Sequence, residues 1–276
     1  MPALLAAPTS RSLLVRVLTA AVLVPLAVAI GYAGGWLWTA LVTLAVIGVY
    51  VEWLMIVGVG EKRIFLMGAT ALALVGCCFS LAAGEGALVV GALGLVSIAL
   101  LSPGQRRGWA GAGFLYAVIA QVAALLLRSD AEFGFVALIF VFLVIWATDV
   151  GGYFAGRAIG GRKLWPRVSP NKTWAGAIGG LLGSLMVAGG FAAFGIGKSL
   201  PLLVLGGGLS VVGQLGDLFE SAVKRRFGVK DSSHIIPGHG GLMDRLDSLF
   251  AAIVLAAILG FWRHGVDGIG RGLMVW

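Results

Sequence analysis

Apolar residues run along this chain in long blocks separated by short polar turns. The blocks cover about 13–31, 35–58, 64–83, 86–101, 110–127, 133–155, 174–197, 201–222 and 242–262. Most reach the roughly 20 residues that a helix needs to cross a hydrocarbon core. Each is predicted to be a helix, because hydrocarbon offers open backbone groups no other partner. The pattern therefore predicts an all-α, polytopic membrane protein with about nine transmembrane helices. The block 86–101 is the shortest, and two half-spans within 64–101 would leave the parity unchanged. Ala27 and Ala29 resemble a signal-peptidase site. That first segment is long, however, and another span follows at once, so it is expected to be retained.

Composition strengthens this picture. Hydrophobic residues make up 59% of the chain and charged residues 12%, with a mean hydropathy of +1.01. A soluble domain would carry about a quarter charged residues, so there is little room for one here. The adjacent Cys77 and Cys78 lie inside an apolar block and read as small buried hydrophobes rather than as a disulfide or metal pair. The net charge of +8 could suggest nucleic acid, but its placement points to a membrane surface. With nine spans, fifteen of the twenty Lys and Arg fall on the side of the N-terminus and four on the other. The positive-inside rule then predicts a cytoplasmic N-terminus and an outer C-terminus, in a bacterial-type inner or plasma membrane. Glycine is abundant at 44 residues, and the pairs Gly176, Gly180 and Gly179, Gly183 have the small-xxx-small spacing of close helix packing, within the protein or across a dimer. Trp36, Trp38, Trp53, Trp109, Trp165 and Trp262 fall near block ends, as interfacial anchors do.

The remaining polar positions are few. Asp149, in DVGGYFAGR, sits near the end of the sixth block, flanked by Gly151, Gly152 and Gly156. An ionisable residue in a membrane helix is a functional candidate by default; a structural pair with Arg157 is the plain alternative. The loop 156–173 carries Arg157, Arg162, Lys163, Arg167 and Lys172. Attraction to anionic headgroups accounts for that charge, but not for Ser169, Pro170, Asn171, Lys172 and Thr173, a turn leading into the seventh block. Ser, Asn and Thr there can cap a helix N-terminus, where free amides favour an anion.

The largest polar island runs from Asp217 to Asp247 and holds five of the twelve carboxylates: Asp217, Glu220, Asp231, Asp244 and Asp247. Two of the three histidines and the cations Lys224, Arg225, Arg226 and Lys230 lie there too. Asp217 and Glu220 are three apart, as are Asp244 and Asp247, so each pair shares a helical face. The topology gathers these carboxylates with Asp149 at one membrane face. Hard oxygens in that number suit Mg²⁺, which takes one or two carboxylates and leaves room for substrate phosphates. An Asp–Arg ladder through Arg245 or Arg225 is the structural alternative. A metal, phosphates and a membrane-depth site together suggest phosphoryl or nucleotidyl transfer to a lipid.

The island also resembles a known signature. Ser221, Lys224, Arg225, Lys230 and Asp231, followed by Pro237, Gly238, His239, Gly240, Gly241, Asp244, Arg245 and Asp247, are similar to the motif of the phosphatidate cytidylyltransferases, without departure over 221–247. DVGGYFAGR, SPNKTW and the nine-span plan extend the likeness along the chain. One position departs: many relatives carry Glu or Gln where this chain has Ala175. The resemblance implies transfer of a cytidylyl group from CTP to phosphatidic acid, giving CDP-diacylglycerol and pyrophosphate. It also implies Mg²⁺, a second cation with K⁺ a candidate, and a homodimer in the lipid bilayer.

On that resemblance Asp217, Asp244 and Asp247 are expected to be metal ligands, supported by Asp149 and Glu220. Lys224, Arg225 and Lys230 are expected on the lipid phosphate or pyrophosphate, with His239 orienting a phosphate or capping a helix. Ser169, Asn171, Lys172 and Thr173 would cradle CTP. Arg157, Ser221, Asp231, Gly240, Gly241 and Arg245 complete the candidate binding set. Residues 1–132 are expected to be a lipid-facing scaffold and 133–276 to carry the site. A CTP-dependent lipid kinase or an ion-coupled transporter are the competing readings. The transporter would place lone acids at mid-bilayer, whereas these cluster at helix ends.

Overall fold

The computed structural model describes residues 10–233 and 240–276, with side chains from residue 21 onward. Ten helices run in order: α1 (Ser10–Ala33), α2 (Gly35–Val57), α3 (Lys62–Ser80), α4 (Gly84–Leu101), α5 (Arg107–Ser129), α6 (Gly134–Ala158), α7 (Trp174–Ala193), α8 (Ser199–Arg226), α9 (Met243–His264) and α10 (Ile269–Met274). Between α6 and α7 two short strands, β1 (Lys163–Trp165) and β2 (Ser169–Thr173), pair antiparallel. Among the described residues eight helices are long and apolar enough to cross a membrane, and α1 contributes the shorter apolar stretch Ala21–Ala33. The all-α polytopic reading holds, with boundaries close to those expected. The β-hairpin and the short α10 were not foreseen, and α8 runs four residues past its expected end, which puts Lys224, Arg225 and Arg226 on its last turn. Cations there meet the negative end of the helix dipole.

Two packing modes organise the bundle. The inner one is aromatic and aliphatic, where α2, α5 and α9 share a core that includes Val46, Trp53, Phe114 and Ala256. Trp53 is 1% exposed and its Nε1 donates to Trp109 O at 2.8 Å, and Trp38 Nε1 donates to Ala124 O at 3.1 Å. These two tryptophans are core anchors, not the interfacial anchors their positions near block ends suggested. Trp36, Trp165 and Trp262 do lie exposed. A buried indole needs a partner for its N–H, and a neighbouring helix carbonyl provides it.

The second mode is backbone against backbone. A Cβ at Gly180 would lie 2.7 Å from Thr148 O, and one at Gly183 would lie 2.6 Å from Ala147 O. The small-xxx-small glycines therefore join α7 to α6 within one chain, at a distance only glycine permits. This close pairing holds Asp149 on α6 beside the N-terminus of α7.

Candidate active site

The site lies where four helix ends meet: the C-termini of α6 and α8 and the N-termini of α7 and α9. A cavity of about 590 Å³ opens there, walled by Asp149, Gly152, Tyr153 and Arg157 from α6 and by Asn171, Lys172 and Thr173 from β2. Gly176 of α7, Gln214 and Asp217 of α8 and Ser248 of α9 close it. The hairpin β1–β2 sets the register of this wall, with Lys163 opposite Thr173 and Trp165 opposite Ser169. The stretch expected as a turn, Ser169–Thr173, is thus a strand up to its last residue, where it becomes a helix cap. Thr173 Oγ1 accepts from Gly176 N at 3.1 Å, which is the capping role its position predicted.

Lys172 leaves the strand to form an ion pair with Asp217 of α8. The pair is only part-buried, so both charges face the cavity. Arg157 does not pair with Asp149. Its Nη1 donates to Tyr153 Oη at 3.1 Å, one turn back on the same helix. Asp149 makes no ion pair among the described residues and opens onto the cavity. Asp149, Asp217 and Asp247 lie within electrostatic range of one another, with Lys172 and Arg245 the near cations of Asp149.

A second cluster sits behind this wall. Lys224 bridges Asp244 of α9 at 2.5 Å and Glu220, one turn earlier on α8, at 3.2 Å. Asp244 Oδ2 also accepts from Ser232 N at 3.2 Å, Ser232 Oγ at 3.1 Å and Gly241 N at 3.1 Å. Asp244 therefore ties two helix ends together, as the ladder alternative held, but through Lys224 and loop amides instead of an arginine. Both its oxygens are engaged by protein donors in this arrangement. Glu220 is fully buried, with Asp247 as its neighbouring carboxylate. Two buried acids beside one cation are tolerable only because the attraction is close and shared.

The other expected residues divide. Arg225 points its Nε to Val168 O at 3.4 Å and its Nη1 to Val229 O at 3.2 Å, fastening the hairpin to the end of α8. Ser221 Oγ donates to Asp217 at 3.4 Å, which puts it behind the Lys172 pair. Lys230, Asp231 and Arg245 are exposed at the same end of the bundle, and Ser169 is half-buried on β2. Gly240 has φ +82°, a left-handed conformation that favours glycine, and Gly241 is buried against Ser232 and Glu52. His239 lies outside the described residues. Among the described residues no three His, Cys, Asp or Glu side chains close into a metal-binding group.

Sequence reasoning missed two participants. Gln214 lines the cavity from α8, its Nε2 donating to Ala177 O and Ser210 Oγ at 3.3 Å each. Glu52, in the half expected to be scaffold, accepts hydrogen bonds from Ser232, Ser233, Leu242 and Met243. The signal was present for Glu52: it is an acid inside an apolar helix, the same anomaly that singled out Asp149.

An open cavity with one paired and one unpaired carboxylate, a lysine and an arginine, at the ends of membrane-length helices, is suited to handling phosphates beside a lipid surface. That class is matched by comparison with known proteins. The sequence profile of the cytidylyltransferase family matches residues 14–262. The chain belongs to the cytidylyltransferase family. Among curated relatives, a phosphatidate cytidylyltransferase of Brucella suis biovar 1 is 52% identical over 158 residues, covering 56% of this chain and 57% of the relative. Its namesake in Staphylococcus saprophyticus is 45% identical over 170 residues, covering 60% and 65%, and that of Bacillus subtilis is 47% identical over 127 residues, covering 44% and 46%. The chain thus spans about half to two-thirds of the length of the curated relatives it matches.

Proposed function

We propose that the protein is a phosphatidate cytidylyltransferase, joining CTP and phosphatidic acid to give CDP-diacylglycerol and pyrophosphate. The observation that carries this reading is the part-buried Lys172–Asp217 pair set beside Asp149 in a cavity at one end of the bundle. A phosphate monoester of a membrane lipid can reach such a cavity from the bilayer, and a nucleotide from water. Asp149 and Arg157 of DVGGYFAGR and Asn171, Lys172 and Thr173 of SPNKTW line that cavity.

The chemistry suits the residues. A lipid phosphate oxygen attacks the α-phosphorus of CTP in line, the bond from that phosphorus to the β-phosphate bridging oxygen breaks, and pyrophosphate leaves. The nucleophile is already an anion, so positioning and charge neutralisation do most of the work. Lys172 and Arg157 hold CTP phosphates against the N-terminus of α7, while Asp217 releases Lys172 to the incoming phosphate. Lys224 keeps Asp244 and Glu220 compensated, so that the wall behind the cavity stays in place while charge moves in front of it.

The donor set also fits Mg²⁺. That ion takes one or two carboxylates and completes its shell with substrate phosphates and water, and Asp149 and Asp217 present such hard oxygens on the cavity wall. Asp247, in electrostatic range of both, supports them. Held there by Asp149 and Asp217, Mg²⁺ would supply neutralisation of phosphate charge. A second cation, K⁺ among the candidates, a homodimer and a cytoplasmic site complete the proposal. The positive-inside distribution of lysine and arginine supports the orientation.

The test is purified protein in detergent with labelled CTP and phosphatidic acid, with and without Mg²⁺. Label is expected in the lipid phase only when all are present, and chelation is expected to abolish it. Label passed to a free lipid alcohol instead would favour the kinase reading. No transfer to any lipid by folded protein would refute the proposal.

A further inference from the structure

Leu242 stands at the capping position of α9 without a side-chain hydrogen bond to the helix. The amides of Leu242 and Met243 are met from α2. Glu52 Oε1 accepts from Leu242 N at 2.8 Å and Ser233 Oγ at 2.5 Å, and Oε2 accepts from Met243 N at 2.7 Å and Ser232 Oγ at 2.8 Å. The side chain is 0% exposed. A carboxylate in the interior of an apolar helix is tolerable only where donors surround it. Here four do, and two of them are helix N-terminal amides that favour negative charge.

Glu52 is linked to the charge cluster through one residue. Ser232 Oγ lies within reach of both Glu52 and Asp244, and Asp244 is the partner of Lys224. Between the two acids passes Gly241, where a Cβ would lie 2.7 Å from Glu52 Oε2 and closer still to Ser232. Only a glycine lets the backbone run between them. Glu52 does not line the cavity. Its whole influence passes through the start of α9.

We propose that Glu52 is a positioning residue for nucleotidyl transfer: from α2 it clamps Ser232, Ser233 and the first turn of α9, so that Asp244 meets Lys224 and Asp247 stands among Asp217 and Asp149. The inference rests on the transfer activity proposed above. It makes the N-terminal half of the chain part of the catalytic assembly.

The test compares Glu52→Gln with the unaltered protein in two readouts. In the CTP-to-lipid assay the variant is expected to lose about a hundredfold in kcat, the size of loss that a displacement of about 1 Å produces. KM for CTP is expected to stay within about threefold, because the CTP cradle on β2 and α7 is untouched. Hydrogen exchange is expected to quicken about tenfold or more at the amides of Leu242 and Met243, and not in α6 or α7. Glu52→Asp is expected to be slower still than Glu52→Gln in no respect, recovering part of kcat because the charge remains.

Unchanged kcat in an active preparation, or a KM that rises as much as kcat falls, overturns the inference while leaving the transferase reading standing. An unaltered protein without transfer overturns that reading, and the exchange rates still decide whether Glu52 clamps α9. If Glu52→Gln does not fold, Ser233→Ala removes one of the four donors. A fall of about tenfold in kcat with KM unchanged is then expected, and no fall counts against the clamp.

Discussion

The pair α6–α7 and the pair α8–α9 are both antiparallel, both deliver helix ends to the same cavity and both pack closely at glycines, with Gly216 of α8 against Asp247 O of α9, but α8–α9 adds a charged bridge. Between α6 and α7 the backbones touch: Gly151, Gly179, Gly180 and Gly183 leave room for no side chain. Near the cavity, α8 and α9 are held by charge, with Lys224 set between Glu220 and Asp244. Glycine contact is indifferent to ions and rigid, which suits the wall that carries Asp149 and the α7 cap. The Lys224 bridge compensates the acids behind the cavity, while the cavity itself is faced by the Lys172–Asp217 pair. Close glycine packing is common to both pairs and the charged bridge belongs to one, and variants should separate the two.

The largest effect is expected from Asp217→Asn, which removes the carboxylate partner of Lys172 without changing shape. Transfer should fall about a thousandfold, while gel-filtration elution and melting temperature stay as before. An active Asp217→Asn protein would show that the charged wall is not where the reaction occurs. Gly180→Val should do the reverse. Its new side chain meets Thr148 O, and about 3 kcal/mol of stability should be lost, seen as poor recovery of monodisperse protein in detergent. Normal recovery would mean that close backbone contact is not what holds α6 to α7.

Lys224→Met tests both sides at once, because it leaves Glu220 and Asp244 buried without their cation. Stability should fall by about 3 kcal/mol, measured by thermal melting in detergent, and kcat should fall with it. Lys224→Arg should recover part of both losses. A Lys224→Met protein that melts normally would remove charge as the link between α8 and α9. The smallest effect belongs to Thr173→Ala, which takes away the α7 cap and should lower stability by about 1 kcal/mol. KM for CTP should rise with kcat little changed. No change in either would mean that the cap neither supports α7 nor shapes the CTP cradle.

Much of this arrangement was legible in the chain. The spans followed from block length, and close packing of the seventh block from its glycine spacing, though not which helix it would meet. Thr173 was read as a cap from its place before an apolar block, and Asp149, Lys172 and Asp217 stood out as polar residues at block ends. Other features were misjudged for one shared reason. Trp53 and Trp38 lie near block ends, and position along a helix does not tell which side a side chain faces. Arg225 carries the charge expected of a phosphate ligand, but the hairpin turn that approaches it, and engages its guanidinium through Val168 O, comes from 57 residues away.

What the sequence determined by itself was the solvent and the membrane-length helices. Hydrocarbon leaves the backbone only one way to satisfy its hydrogen bonds, so composition and block length suffice to write the helices. What only the tertiary structure decided was partnership. That Lys172 meets Asp217, that Lys224 bridges Glu220 and Asp244, and that Glu52 reaches Met243 across 191 positions all depend on which helix faces pack together. Sequence spacing encodes neighbours three and four residues apart. A charge pair between helices is chosen by packing, and packing is settled by the whole bundle at once.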